Sequence, residues 1–416
     1  MRAALLAGAA AVALGLASPA ATAQIVVSGN DNKRTLVNGV NTLLQNPRPD
    51  TVAIIDLNGR TPRLVAQVEA PHSVVGPPMS VAVTPDERLA LASSAEKIDP
   101  ENPRRTIPDN RVSVIDLRAS PPRVVQTLEV GSGPAGISIN RAGTLALVAN
   151  RMAGTVSVLR IRDGQVSVIG TVEIGPANSG VSHAQFTPDG RHALVTRDGD
   201  SFISVLRIEG ETVTKLNQDM NAGLRPYGLH VSPNGNWAIV GNVGRASAGN
   251  TGDIETVSLI DLTREPFRVV DTVSVGTTPE GVMASPDGRH AVVVVHNGTG
   301  RRIGDPLRGR AEVKLLRIDN NRIRVVSAAP AGDWVQGMAF SRDGQTLLIG
   351  NMADKTIGVY RIQGDRLRDT GQRIAVDGGP AALRTAEVAP PPAPAARRGA
   401  ERRSGAAAPA APSQPR

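Results

Sequence analysis

The 416-residue chain contains no cysteine. That absence removes disulfides, thiolate metal sites, a cysteine nucleophile and C-x-x-C-H haem attachment, so stability must come from burial and from the way the fold closes. Aromatic side chains are scarce at 2%, whereas glycine (43) and proline (31) are plentiful. This balance describes many short strands and turns rather than long helices. No segment beyond residue 23 is apolar for long enough to span a bilayer as a helix. No Ser-His-Asp spacing, zinc motif or phosphate loop stands out. Arg197-Asp-Gly-Asp200 places carboxylates two residues apart but lacks the remainder of an EF-hand loop, so neither a metal nor a cofactor is expected. Acidic residues are nearly absent from the C-terminal end. There Arg397, Arg398, Arg402, Arg403 and Arg416 stand against Glu401 and carry much of the +8 net charge. The folded part is close to neutral, which argues against a nucleic-acid partner.

The two ends differ in kind from the middle. Arg2 is a positive n-region, Ala3 to Ala17 an apolar h-region, and Ala21-Thr22-Ala23 an A-x-A cleavage site. Residues 1–23 are therefore expected to be a signal peptide and the mature protein to be periplasmic or secreted. Residues 389–416, rich in Ala, Pro and Arg, have no periodic apolar face and read as a disordered basic tail. Such a tail is suited to an anionic envelope surface.

Between them, residues 24–388 write one strand signature seven times. The copies are Thr51-Val-Ala-Ile-Ile-Asp-Leu57, Arg111-Val-Ser-Val-Ile-Asp-Leu117, Thr155-Val-Ser-Val-Leu-Arg-Ile161, Phe202-Ile-Ser-Val-Leu-Arg-Ile208, Thr256-Val-Ser-Leu-Ile-Asp-Leu262, Glu312-Val-Lys-Leu-Leu-Arg-Ile318 and Thr356-Ile-Gly-Val-Tyr-Arg-Ile362. These nearly unbroken β-branched runs suit strands buried on both faces, and they recur roughly every 45 to 60 residues. Ahead of most copies lies a Pro-Asp-Gly type of turn, as at Pro188-Asp189-Gly190 and Pro286-Asp287-Gly288, with a strand on each side. A fourth strand follows each signature. The expected fold is all-β: a seven-bladed β-propeller with four antiparallel strands per blade. The first unit lacks its opening strand. Gly379-Pro-Ala-Ala-Leu-Arg-Thr-Ala-Glu-Val388 is expected to supply it and so close the ring.

Function is expected where the repeats disagree. Connections between second and third strands share a face with the blade-to-blade connections, and four of them are long: 31–50, 95–110, 243–255 and 297–311. On the same side, the residue after the entry position varies from blade to blade: Met79, Ala135, Ser182, Tyr227, Glu280, Gln336 and Ala381. The next residue is glycine in four blades but His183 in the fourth. With Arg225, Trp334 and His296 nearby in the alignment, the channel mouth is expected to gather Ser182, Arg225, Tyr227, Glu280, Trp334, Gln336 and His296 as ligand-binding residues. His183 is open to two readings, a packed histidine or a catalytic one. Asn30, Asn150, Asn242 and Asn351 end second strands, with Arg197 at the matching place, and read as caps of the following turn.

With the blades aligned, Pro279-Glu-Gly281, Ser285-Pro-Asp-Gly288, Val148-Ala-Asn150 and Thr256-Val-Ser-Leu-Ile-Asp261 resemble the YVTN family of propellers. Gly180-Val-Ser-His-Ala-Gln-Phe-Thr-Pro-Asp-Gly190 and Ala149-Asn-Arg151 are similar to segments of the lactonase propellers, the 6-phosphogluconolactonase-like family. Val181 and Ser182 replace that family's Pro and Arg, and its N-E-L segment has no counterpart. Two expectations follow. The first is an exported module binding a small polar ligand or a protein of the cell envelope through its loop-rich face. The second, implied by the resemblance, is a lactone hydrolase in which His183 acts on water while Glu280, Arg151 and Arg197 orient the substrate. A quinone-cofactor propeller would be expected to hold more tryptophan than the two present.

Overall fold

A computed structural model of the chain describes residues 24–59, 61–245 and 253–387. The expected signal peptide and basic tail lie outside these residues, as does the middle of the 243–255 loop. Seven four-stranded antiparallel sheets follow one another around a ring, and a small two-stranded hairpin accompanies them. The third strand of every blade is a copy of the signature, from Thr51–Asp56 in the first blade to Thr356–Gln363 in the seventh.

The signature is apolar on both faces because each blade is packed between two others. Seven apolar clusters fill the seven seams. In one, Leu147 and Val158 of the third blade meet Phe186 and Leu206 of the fourth. Fourth strands form the outer rim and alternate instead, as Arg123–Glu129 shows with every second residue exposed. The ring closes as expected. Gly379–Arg384 pairs with Ile25–Asp31, setting Arg384 opposite Val27 and Leu383 opposite Ser28. Leu383 then joins Val26, Ile55, Leu348 and Val359 in the seam between the last blade and the first.

The Pro-Asp-Gly turns hold one face by a repeated device. The Thr187 hydroxyl donates to Asp189 Oδ1 (2.6 Å), which accepts the Arg191 N–H (3.1 Å), while Thr187 Oγ1 accepts the His192 N–H (3.1 Å). Ser285 with Asp287 and Ser341 with Asp343 repeat it. Glycine follows at a left-handed φ, +71° at Gly190.

The opposite face departs from expectation in detail. Segment 95–110 is largely ordered ribbon, because strands Leu89–Ile98 and Thr106–Asp116 run on past the blade and pair Lys97 with Ile107. Within 31–50, Arg34–Val37 and Val40–Leu43 form a hairpin turning at Asn38 (φ 49°) and Gly39 (φ 81°). Asn-Gly is the pair that such a tight hairpin turn favours. These insertions touch. The Ile303 N–H donates to Asn38 O (3.1 Å), and Arg34 pairs with Glu96 (3.0 Å), so one wall spans the sixth, first and second blades.

Candidate functional site

Inner strands are bulged just where the aligned sequences vary. The antiparallel register shifts between Val181 and His183, Pro226 and Leu229, Pro279 and Gly281, and Val335 and Met338. The skipped residues include Ser182, Tyr227, Glu280 and Gln336. A bulge leaves its extra residue out of the ladder and re-aims its side chain; here the released side chains meet charged residues from the ends of the second strands. Arg151 follows Leu145–Asn150, Asp198 follows His192–Arg197 and His296 follows His290–Val295, while Arg225 stands just before Pro226–Val231.

Asp198 is the hub of one half of the site. Its carboxylate accepts both terminal nitrogens of Arg151, with Nη2 to Oδ2 at 3.0 Å, as well as Arg225 Nη2 (2.8 Å) and the Ser182 hydroxyl (2.5 Å). Arg151 also donates to Ser182 and lies over the Tyr227 ring, 5.5 Å from its centroid. Burial works to raise the Asp198 carboxyl, but hydrogen bonds and charge from Arg151, with Ser182 and Arg225, hold it below its ordinary range. Burial pushes the Tyr227 phenol up, so it stays protonated at neutral pH.

Glu280 is the hub of the other half. Gln336 Nε2 donates to Glu280 Oε2 at 2.6 Å, and His296 Nε2 stands 3.7 Å from that oxygen, beyond hydrogen-bond reach. Among the described residues, neither His296 Nε2 nor Gln336 Oε1 has a hydrogen-bond partner. The two halves are electrostatic neighbours, since the Glu280 charge is felt by both Arg151 and Tyr227. The mouth thus combines paired guanidiniums, a neutral phenol, a carboxylate and a buried imidazole with a free nitrogen.

Two expected members, His183 and Arg197, stand apart from this network. His183 is fully buried in the channel wall; its Nε2 faces Gln185 (3.2 Å), and no bond joins it to Arg151, Arg197 or Glu280. Burial and the Arg384 charge push its pKa down to about 3, so it is neutral. The ring packs on Gly136 of the next blade, where a Cβ would lie 2.3 Å from His183 Nδ1. His183 is therefore packed into the wall and bonded to none of the residues expected to act with it. Arg197 turns outward to Asp200, Asp219 (2.8 Å) and Ser204 (3.2 Å). It occupies the place where Asn150 binds Thr155 and Ser157, both at 2.9 Å, and it tethers the third strand as that asparagine does. Trp334 is buried, its backbone N–H donating to Thr299 Oγ1 (3.3 Å). Asp198 was missed by the sequence reading; the only sign of it was a charged residue in the short Arg197-Asp-Gly-Asp200 turn. No cluster that could hold a metal ion occurs among the described residues.

The fold and this mouth define a seven-bladed β-propeller with a polar, ion-paired channel entrance. Residues 111–248 match the family model described as lactonase, 7-bladed beta-propeller. The chain is similar to the periplasmic gluconolactonase of Pseudomonas aeruginosa (TM-score 0.61, 18% identity, covering 89% of this chain and 100% of that one). A Bacteroides fragilis protein provisionally assigned as a 6-phosphogluconolactonase matches with a TM-score of 0.66 at 16% identity, covering 88% and 99%. The hydrazine synthase of Kuenenia stuttgartiensis shares the fold at a TM-score of 0.57 and 18% identity, covering 75% and 90%.

Proposed function

We propose that the protein hydrolyses a small polar lactone at the loop-rich mouth. The observation that carries this reading is the convergence of Arg151, Arg225 and Tyr227 with the Glu280–His296–Gln336 group at one entrance. Arg151 and Arg225 offer positive charge to the carbonyl oxygen as it becomes an oxyanion. His296 Nε2, unpartnered and 3.7 Å from Glu280, is placed to take a proton from a water molecule. The water oxygen then bonds to the carbonyl carbon and the ring C–O bond breaks. The departing oxygen takes the proton back, giving a hydroxy acid with no other reactant. The match of residues 111–248 to the lactonase family favours this reading over a module that only binds a ligand or a protein.

Export belongs to the same proposal. A leader at residues 1–23 would deliver the chain to the compartment of the Pseudomonas gluconolactonase to which it is similar. The substrate is then a non-phosphorylated lactone, since Ser182 stands where the phosphosugar lactonases carry an arginine.

The test is acid release from δ-gluconolactone and a panel of small lactones. Glu280→Gln and His296→Gln are expected to lower kcat by about a hundredfold or more, the usual size of a general acid–base contribution, while His183→Gln retains activity. Wild-type protein that never exceeds the uncatalysed rate would return the mouth to the binding-module reading.

A further inference from the structure

We propose that the channel's opposite mouth is a second ligand site, built for a small amphipathic monocarboxylate. A cavity of about 870 Å³ opens on the face of the Pro-Asp-Gly turns, away from the lactone site, and Arg384 and Glu387 line it. Its size is that of a small-molecule pocket. Ile25, Leu117, Met283, Phe340, Pro233 and Pro286 make its wall largely apolar. The proposal does not depend on the lactonase reading.

The charge at the bottom of this cavity is only partly compensated, by the neighbouring Glu387. Arg384, on the closing strand, is 4% exposed. Its Nη2 meets only the Met79 sulfur, and among the described residues its Nη1 has no hydrogen-bond partner. The carboxylates around it are already engaged. Glu387 meets His230 Nε2 at 3.2 Å, Glu87 pairs with Arg342 at 3.0 Å, Asp86 accepts the Thr84 hydroxyl at 2.6 Å, and Asp343 accepts the Ser341 hydroxyl. Arg141, whose guanidinium donates to Pro233 O, adds a second positive charge that Glu387 feels. Two guanidiniums thus share one carboxylate, which is also bonded to His230. A buried guanidinium without a full set of acceptors is costly. A carboxylate offers the planar two-oxygen partner that its fork fits, and the apolar wall accepts a hydrocarbon body behind it.

Decanoate and 1-decanol distinguish charge recognition from greasy binding, and both can be titrated calorimetrically into the full chain at neutral pH. Decanoate is expected to bind at least tenfold more tightly than decanol. Arg384→Met should lose about tenfold to a hundredfold of the decanoate affinity, the span of hydrogen bonds to a charged group, and leave decanol unchanged. Equal affinity for the two probes, no binding of either, or an Arg384→Met protein that binds decanoate normally would each overturn the proposal. Should Arg384→Met fail to fold, Ala284→Phe fills the cavity from its wall and must abolish decanoate binding; retained binding there refutes the site.

Discussion

Replacing His183 with glutamine separates a packed histidine from a catalytic one by a stability measurement. The wild-type imidazole is fully buried, and its pKa is pushed from 6.5 to about 3, with burial the largest cause and the Arg384 charge next. In the unfolded chain the same ring titrates near 6.5. Above that pH both states hold it neutral, and it contributes nothing to the pH dependence. As pH falls below 6.5 the unfolded chain gains a proton that the folded one refuses, so stability drops by about 1.4 kcal/mol per pH unit until the folded pKa is reached. Between pH 7.5 and 4.5 the loss attributable to this residue is about 2.7 kcal/mol. Glutamine has no proton to gain, so the variant should lose about 2.7 kcal/mol less than wild type over that window, whatever its stability at neutral pH. Denaturant midpoints converted to free energies at pH 7.5, 5.5 and 4.5 give the two slopes. His72, another buried histidine with a pKa lowered to about 4, is common to both proteins and cancels. Parallel profiles would refute the burial argument, and a hundredfold fall in lactone hydrolysis with intact folding would return His183 to the chemistry.

Other perturbations probe the same structure. A chain ending at Val376 loses Gly379–Arg384 and with it the seam around Leu383; it should lose its cooperative thermal transition by circular dichroism, and unchanged melting would contradict closure. Gly136→Ala drives a Cβ to 2.3 Å from His183 Nδ1 and 2.7 Å from Ser182 O. It should cost about 3 kcal/mol in denaturant unfolding, and a neutral outcome would mean that the inner strands are less crowded than described. Asp198→Ala removes a buried carboxylate, leaves the partly buried Arg151 without its ion pair, and is expected to cost about 3 kcal/mol. Adding Arg151→Met should recover part of that loss, whereas strict additivity in the double-mutant cycle would deny their coupling.

Some of the mouth was legible residue by residue. Ser182, Tyr227, Glu280 and Gln336 occupy one aligned place where neighbouring blades disagree, and the bulge at that place turns them to the channel. His183 occupies the next place. It differs from its glycine counterparts for a packing reason, because its ring lies where a side chain on Gly136 would have to be. Arg197 stands in an asparagine position and does that asparagine's work. Asp198 stands just past its second strand, where the third blade has Arg151, a place the repeats do not keep, and became visible only when Arg151, Ser182 and Arg225 closed around it.

The sequence by itself determined the blade count, the strand order and the closure of the first blade by the last strand. Those properties depend on local periodicity and turn chemistry, which are written in consecutive residues. Only the tertiary structure decided which polar residues share a charge environment, because ion pairs such as Arg151–Asp198 and approaches such as His296–Glu280 join different loops or blades at separations that no local pattern encodes. It also decided that the channel has two unlike mouths. The loop-rich one is crowded with paired charge, and the one ringed by Pro-Asp-Gly turns is apolar around Arg384, because the closing strand carries that arginine into the centre of the ring.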